Sequence, residues 1–310
     1  MIGARLSRRR FLAVSAAALV AGPAAAAETI RWRGQALGAL AEITLLGPET
    51  EALRALRAVK ASLRRIERLF SLYDPESDLV RLNETGALAR PAPEFLALLR
   101  LCDRVHRATG GRFDPSVQPL WQAMMAHRGA PDRETLEAAL SRVGWSGLRF
   151  DEEAVRFARP GMALTFNGIA QGFATDTAVE TLAAQGFGAV LVNIGEFRAG
   201  EGPWRVGVED PDFGLVATRR LERSAVATSS PAALRFGTSG QGHILDPAGR
   251  NTVSPWSTVS VEARTAALAD GVSTACSLLD RPQVVAVLDR LPEIDRVLLV
   301  DSEGRRSELA

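Results

Sequence analysis

The sequence predicts an α+β fold, mixed sheets with flanking helices, arranged as one compact domain of two lobes. Three observations predict it. Amphipathic helical patterns dominate the first half, whereas short apolar or alternating runs that read as strands recur through the second. A run at 163–167, a helical pattern to Ala184 and an apolar run at 189–194 have the lengths of a strand, helix, strand crossover. No internal repeat, low-complexity tract or linker divides the chain. Of the 310 residues, 1–27 read as a signal peptide and 28–310 as the domain. A domain of that length has room for a sizeable core. A hydrophobic content of 46% with 24% charged residues is that of an ordinary globular chain, and a net charge of +1 argues against nucleic acid as a partner.

The signal segment runs Ser7, Arg8, Arg9, Arg10, Phe11, Leu12, then an apolar stretch, then Pro23 and alanines to Ala27. This order is that of a twin-arginine export signal cut near Ala26 or Ala27, not of a membrane span. It predicts a periplasmic protein. Twin-arginine export carries proteins already folded, which suits a chain that takes up a cofactor first. No cysteine stands near the cleavage region, which excludes a lipid anchor there. Cys102 and Cys276, the only cysteines, fall within apolar helical patterns; an oxidising compartment would let them pair, but their packing context reads as buried thiols.

Residues 30–46 read as a strand pair around Gly34 and Gly38. Residues 49–69 form an arginine-rich amphipathic helix with Leu53, Leu56, Leu63 and Ile66 on one side. The following segment, FSLYDPESDLVRLN, places Tyr73 in a polar turn, where the ring either stacks on a planar ligand or is partly buried with its hydroxyl bonded. A second helix covers 93–109 and carries His106, which reads as structural. Gly110 to Pro115 make a tight turn, followed by Val117 and a Pro119-Leu120-Trp121 run. His127 lies in a polar connection and takes no role. A helix follows over 131–143, and 148–157 alternates like a hairpin. Further short strands are expected at 204–209 and 225–228.

ALTFNGIAQGFATD, 163–176, is the stretch around which the chain is organised. It reads as a strand, a glycine turn and a helix that begins after Gly172. Gly168 and Gly172 let backbone approach a bound group closely, and a helix N-terminus beyond them favours an anion such as phosphate. The alternative is a tight turn with no ligand; the stretch is neither a Walker loop nor GxGxxG. Downstream, His243 and Asp246 share a turn closed by Pro247 and Gly249. His243 there is either a general base toward a hydroxyl or a ring satisfied by backbone, with Asp246 orienting it or capping the turn. Ala269 to Thr274 open a helix expected to run through Leu279. On that helix Asp270 and Thr274 stand one turn apart, so a carboxylate and a hydroxyl reach one hard cation, Mg²⁺ fitting best. Alternatively Asp270 caps the helix.

In order, FSLYDPESDLVRLN, GGRFDPSVQPL, NGIAQGFATD, VNIGEFRAGEGPWRVGVEDP, GHILDP and ADGVSTA resemble the successive motifs of the ApbE family of FAD:protein FMN transferases, over nearly the whole of 28–310. The resemblance implies export, binding of FAD with Mg²⁺, and transfer of FMN to a threonine or serine hydroxyl of a target flavoprotein with release of AMP. It implies that Asp270, Ser273 and Thr274 hold the metal with the main-chain carbonyl of Gly168. Leu37, Tyr73, Asn83, Arg112, Phe113, Asp114, Thr165, Gln171 and Ile244 would line the FAD, and His243 would be the catalytic histidine. The chain departs from the family pattern where Asp-Leu-Gly-Gly-Ile-Ala-Lys-Gly is usual. It has Thr165, Phe166, Asn167 and Gly168 there, and Gln171 at the lysine. Leu37 replaces a methionine, and Ser273 is a carboxylate in some relatives. The NGIAQG and NIGEFRA forms are similar to the subgroup that accompanies nitrous oxide reductase maturation, whose acceptor is a membrane flavoprotein. Two rival activities share the same site: Mg²⁺-dependent hydrolysis of FAD to FMN and AMP, and flavin carriage by an assembly factor without turnover.

Overall fold

The computed structural model describes residues 28–237, 241–249 and 254–310; the predicted signal peptide lies outside them. Alternating residues pair β1 (Thr29–Ala36) with β2 (Ala39–Leu46) across a turn at Leu37 and Gly38, so the turn falls at the second of the two expected glycines. Pro48 precedes α1 (Glu49–Phe70), whose acidic first turn and Arg68 in the last match the helix dipole. Leu56, Val59, Leu63, Ile66 and Phe70 recur at three and four residues and are buried. Leu53 is 48% exposed, contrary to expectation, because Ala52 and Ala55 take the inward positions of that turn.

The stretch expected to be only a polar turn contains a helix, α2 (Asp78–Thr85). Ser77 caps it by accepting the Val80 N–H at 3.1 Å, and Gly86 ends it at φ 75°. After β3 (Ala87–Ala89) comes α3 (Pro93–Ala108), then a 3-10 turn at Pro115–Val117. The Pro119-Leu120-Trp121 run is itself helical within α4 (Gln118–Ala126), since proline fits a first helical turn that has no N–H partner to lose. The next helix, α5 (Arg133–Leu140), is shorter than expected, and the hairpin of β4 (Leu148–Phe150) and β5 (Ala154–Phe157) follows.

The remaining elements are α6 (Ala170–Ala184), β6 (Val190–Asn193), β7 (Phe197–Ala199), β8 (Trp204–Asp210), β9 (Gly214–Leu221), β10 (Ala225–Ser229), β11 (Trp256–Ala263), α7 (Ala266–Cys276), α8 (Arg281–Leu288), β12 (Ile294–Asp301) and β13 (Arg306–Leu309). An eight-stranded sheet runs β1-β2-β6-β7-β10-β11-β12-β13, with smaller sheets β3-β5-β4 and β8-β9. Every pairing is antiparallel. The expected crossover is therefore absent: β6 pairs antiparallel with β2 and β7, and the run at 163–167 that leads into α6 is not a strand. The apolar run before α6 is buried irregular chain, because its polar groups have other partners. The Asn83 amide donates to the Leu164 carbonyl at 2.9 Å and accepts the Leu164 N–H at 2.7 Å, while the Thr165 N–H donates to the Pro115 carbonyl at 2.8 Å.

Strand alternation divides the core. Val190, Val192, Ala227, Val259, Val261, Val297 and Leu299 join the helices in the main cluster. Leu191, Phe197, Val226, Leu298 and Val300 pack on the opposite face with Trp204, Val206, Val208 and Leu221 of the β8-β9 hairpin. Cys102 and Cys276 are buried free thiols, as expected, and burial pushes Cys276 up to about 12. Among the described residues no helix is long and apolar enough to cross a membrane.

Candidate active site

The first turn of α6 and the face of α7 meet with almost no space between them, and two glycines make that approach possible. A Cβ on Gly172 would run into the Ala266 carbonyl, and one on Gly168 would stand 2.9 Å from Thr274 Oγ1. Both glycines are thus required by space and not by a left-handed backbone. The Gly172 N–H donates to Asp270 Oδ2 at 3.2 Å. The anion at this helix N-terminus is accordingly a carboxylate of the chain itself. Helix α7 begins at Ala266, earlier than expected, and Thr265 caps it by accepting the Leu268 N–H at 3.4 Å. The capping alternative for Asp270 is excluded, since Asp270 lies a full turn inside.

Asp270 is buried, and its carboxyl is pushed up to about 7 by burial, with the Gly172 N–H opposing and the charge of Asp176 adding to the rise. Ser273 Oγ donates to the Asp270 carbonyl at 3.0 Å and meets Ser229 Oγ of β10 at 2.8 Å. Thr274 faces Gly168 and is half-buried. Gly168, Asp270, Ser273 and Thr274 are therefore brought together. Among the described residues no group of three or more His, Cys, Asp or Glu could hold a metal ion. A cation here would be met by one carboxylate, a hydroxyl and a carbonyl, an all-oxygen set suited to Mg²⁺ supplemented by water or phosphate.

Two acids that the sequence reading left without a role complete the surroundings. Glu196 is buried and accepts the Thr228 N–H at 3.1 Å. Burial, and next the charge of Asp270, hold its carboxyl well above the usual range. Asp176 of α6 accepts the Ala266 N–H at 2.8 Å and the Ala267 N–H at 2.9 Å, and pairs with Arg198 of β7 at 2.9 Å. It caps α7 from a neighbouring helix and fixes the register in which Asp270 meets Gly172. The only trace of either in the sequence is an acid inside an apolar motif, NIGEFRA and GFATD, because the contacts that define their roles span tens of residues.

Gln171 occupies the first turn of α6, with its Oε1 2.8 Å from where a Gly195 Cβ would stand. Gly195 has φ 90°, so glycine serves here in both conformation and space. Thr165 lies just upstream, its Oγ1 accepting the Asn167 N–H at 3.3 Å. The Asn83 amide is engaged by Leu164 as described, so this side chain shapes the wall behind Thr165. Asp114 is also engaged: Oδ1 accepts Ser116 N–H at 2.8 Å and Ser116 Oγ at 2.6 Å, and Oδ2 accepts the Trp145 N–H at 3.1 Å. Phe113 is buried, with its carbonyl accepting from His106 Nδ1 at 2.8 Å, which confirms a structural His106.

Arg112 pairs with the buried Asp246 at 3.2 Å, and Asp246 also accepts the Ala248 N–H at 2.9 Å. Beside Arg112, toward α8, lies a cavity of about 230 Å³ lined also by Thr109, Gln283 and Arg290; it does not reach Gly168 or Asp270. Asp246 thus caps its turn and steadies Arg112. His243 is placed by the segment that follows β10: its Nδ1 donates to the Leu234 carbonyl at 3.3 Å. Burial lowers its pKa below the ordinary imidazole value, with the carbonyls of Leu234 and Pro231 opposing, so the ring is neutral near pH 7. Ile244 is half-buried next to it. Tyr73 is 65% exposed beyond the end of α1, which decides for a presented ring, and Leu37 sits half-buried at the β1–β2 turn.

The ApbE family model matches residues 37–298. The FAD:protein FMN transferase of Treponema pallidum (strain Nichols) is 26% identical over 295 residues, covering 84% of this chain and 81% of that protein. The crystal structure of the ApbE protein from Thermotoga maritima is similar at a TM-score of 0.80 and 26% identity, over 90% of this chain and 96% of that one. The apo form of Pseudomonas stutzeri flavinyl transferase ApbE is similar at 0.79 and 26% identity, over 91% and 94% of the two chains. With the match running through nearly every element from the β1–β2 turn to β12, the chain belongs to the ApbE family.

Proposed function

We propose that this protein transfers FMN from FAD to a threonine or serine hydroxyl of a target flavoprotein, releasing AMP, with Mg²⁺ bound and in the periplasm after twin-arginine export. The observation that carries the reading is the approach of Gly168 to Thr274 beside the buried Asp270. Glycine at 168 lets the turn come closer to Thr274 than any side chain would allow, and the polar groups there, the Asp270 carboxyl, the Thr274 hydroxyl and the main-chain carbonyl, are oxygen donors. The Treponema pallidum relative named FAD:protein FMN transferase and the flavinyl transferase ApbE of Pseudomonas stutzeri support the same chemistry.

The carboxylate of Asp270, the hydroxyl of Thr274 and the carbonyl of Gly168 would hold the cation, with Ser273 steadied by Ser229 beside them. Once bound, Mg²⁺ would offset the charge of the diphosphate and of the departing phosphate. His243, neutral near pH 7, takes the proton of the acceptor hydroxyl. The acceptor oxygen bonds to the phosphorus of the FMN half; the bond from that phosphorus to the bridging oxygen breaks, and AMP leaves with its electron pair. Tyr73 and Leu37 offer apolar surface to the flavin ring system. Gln171 contributes a neutral amide where a lysine is usual, so less positive charge from the protein faces the phosphates.

The test is to incubate the protein with FAD, Mg²⁺ and a candidate flavoprotein domain, and to record the mass of the domain. Covalent gain of FMN with equimolar AMP is the expected result. AMP without a mass gain would make the protein a pyrophosphatase, and bound FAD without AMP a carrier.

A further inference from the structure

The β1–β2 turn breaks the residue preferences of its own type. Leu37 and Gly38 have φ of 49° and 75°, the paired left-handed conformations of a type I′ hairpin turn, whose first position favours Asn, Asp or Gly. A branched apolar residue stays in that region only where its surroundings hold it, and such positions cluster at functional sites. Here the Leu37 N–H donates to Glu67 Oε1 at 2.8 Å, across 30 residues. Glu67 stands in the last turn of α1. Just past the end of that helix, Ser71 Oγ accepts the N–H groups of Tyr73 and Asp74, each at 3.1 Å. One rigid helix end therefore places both Leu37, half-buried against the main core, and Tyr73, 65% exposed.

We propose that Glu67 is a positioning residue: by binding the Leu37 N–H it holds this leucine left-handed, so that its side chain and the Tyr73 ring bound the flavin end of FAD. The proposal rests on the FAD reading above. Glu67 itself does not touch the substrate; its influence passes through the turn.

FAD binding, followed by quenching of flavin fluorescence with Mg²⁺ present, is compared for wild type, Glu67→Ala, Leu37→Gly and the double variant. Glycine adopts the left-handed turn unaided but lacks the side chain, so it removes what Glu67 acts through. Glu67→Ala is expected to weaken FAD binding about tenfold, the scale of a lost charge-assisted hydrogen bond, with kcat for transfer within about twofold of wild type. Glu67→Gln, which keeps an acceptor oxygen, is expected to bind like wild type. In the Leu37→Gly background Glu67→Ala is expected to change nothing further. A Glu67→Ala protein that binds FAD normally, or one that loses the same factor with glycine at 37, overturns the proposal. If Glu67→Ala does not fold, Glu67→Met, of similar length and without an acceptor, makes the same comparison. A wild type that binds no FAD removes the underlying reading and this proposal with it, an outcome distinct from wild-type binding with additive effects.

Discussion

Two residues of the site have consequences that can be measured directly. A Cβ on Gly168 would meet Thr274 Oγ1 at 2.9 Å and Cγ2 at 3.1 Å, closer than unstrained side chains pack. Because the backbone at 168 is not left-handed, Gly168→Ala is expected to fold while displacing Thr274 from the turn. Transfer should fall at least about tenfold, equivalent to ~1.4 kcal/mol, with a far-UV circular dichroism spectrum like that of wild type. Retention of full activity would mean that the close approach of Gly168 to Thr274 is not part of the site. At His243 the direction of the pKa decides the pH profile. Burial lowers it, so the neutral base persists below the ordinary imidazole range, and the acid limb of kcat/KM should lie below about pH 6.5. His243→Ala should remove that limb together with most of the activity.

Among the elements, α6 and α7 are coupled by Asp176, and that coupling has a pH signature. Burial raises the Asp176 carboxyl to about 6, although the Arg198 guanidinium and the Ala267 and Ala266 N–H groups pull it down. In the unfolded chain this group titrates near pH 4. Between pH ~4 and ~6 the native state therefore holds a proton that the unfolded state has released, and stability falls as pH rises through that window. The stability of wild type relative to Asp176→Asn should drop by on the order of 2 kcal/mol from pH 4 to pH 6.5, read from urea unfolding. A constant difference would show that Asp176 is ionised throughout. Local periodicity made α1, α3 and the β1–β2 pair legible, because each has a buried face and its own signals at both ends. It failed for 163–167, where an Asn83 side chain from another element takes the hydrogen bonds that a ladder would have used. It failed for α2 as well, where the Ser77 cap and the Leu79 and Leu82 spacing lay under a Pro-containing turn. That Asp270 and Thr274 share one helix face was readable from helix spacing, whereas Glu196 and Asp176 act through contacts that no local pattern encodes.

At the scale of the whole molecule, the antiparallel sheet joins strands from both ends of the described chain: β1 lies at one edge and β13 at the other. The surroundings of Asp270 are assembled from α6, α7, the end of β10 and the turn between β6 and β7, whereas Leu37 and Tyr73 come from the first quarter of the chain. Such a site exists only once distant segments have come together, and a flavin or metal ligand binds the folded chain and not its parts. That order of events fits the twin-arginine export proposed above. Thr29 opens the edge strand β1 and is exposed, as is Glu28 just before it. Replacing Arg8 and Arg9 by lysine keeps the charge and removes the paired guanidinium groups that an export receptor reads. The expected outcome is a precursor of full length that accumulates in the cytoplasm, folded and able to bind FAD, with none of the shortened form in the periplasmic fraction. Continued appearance of the shortened form outside the cytoplasm would place export on another route and detach folding before export from the argument.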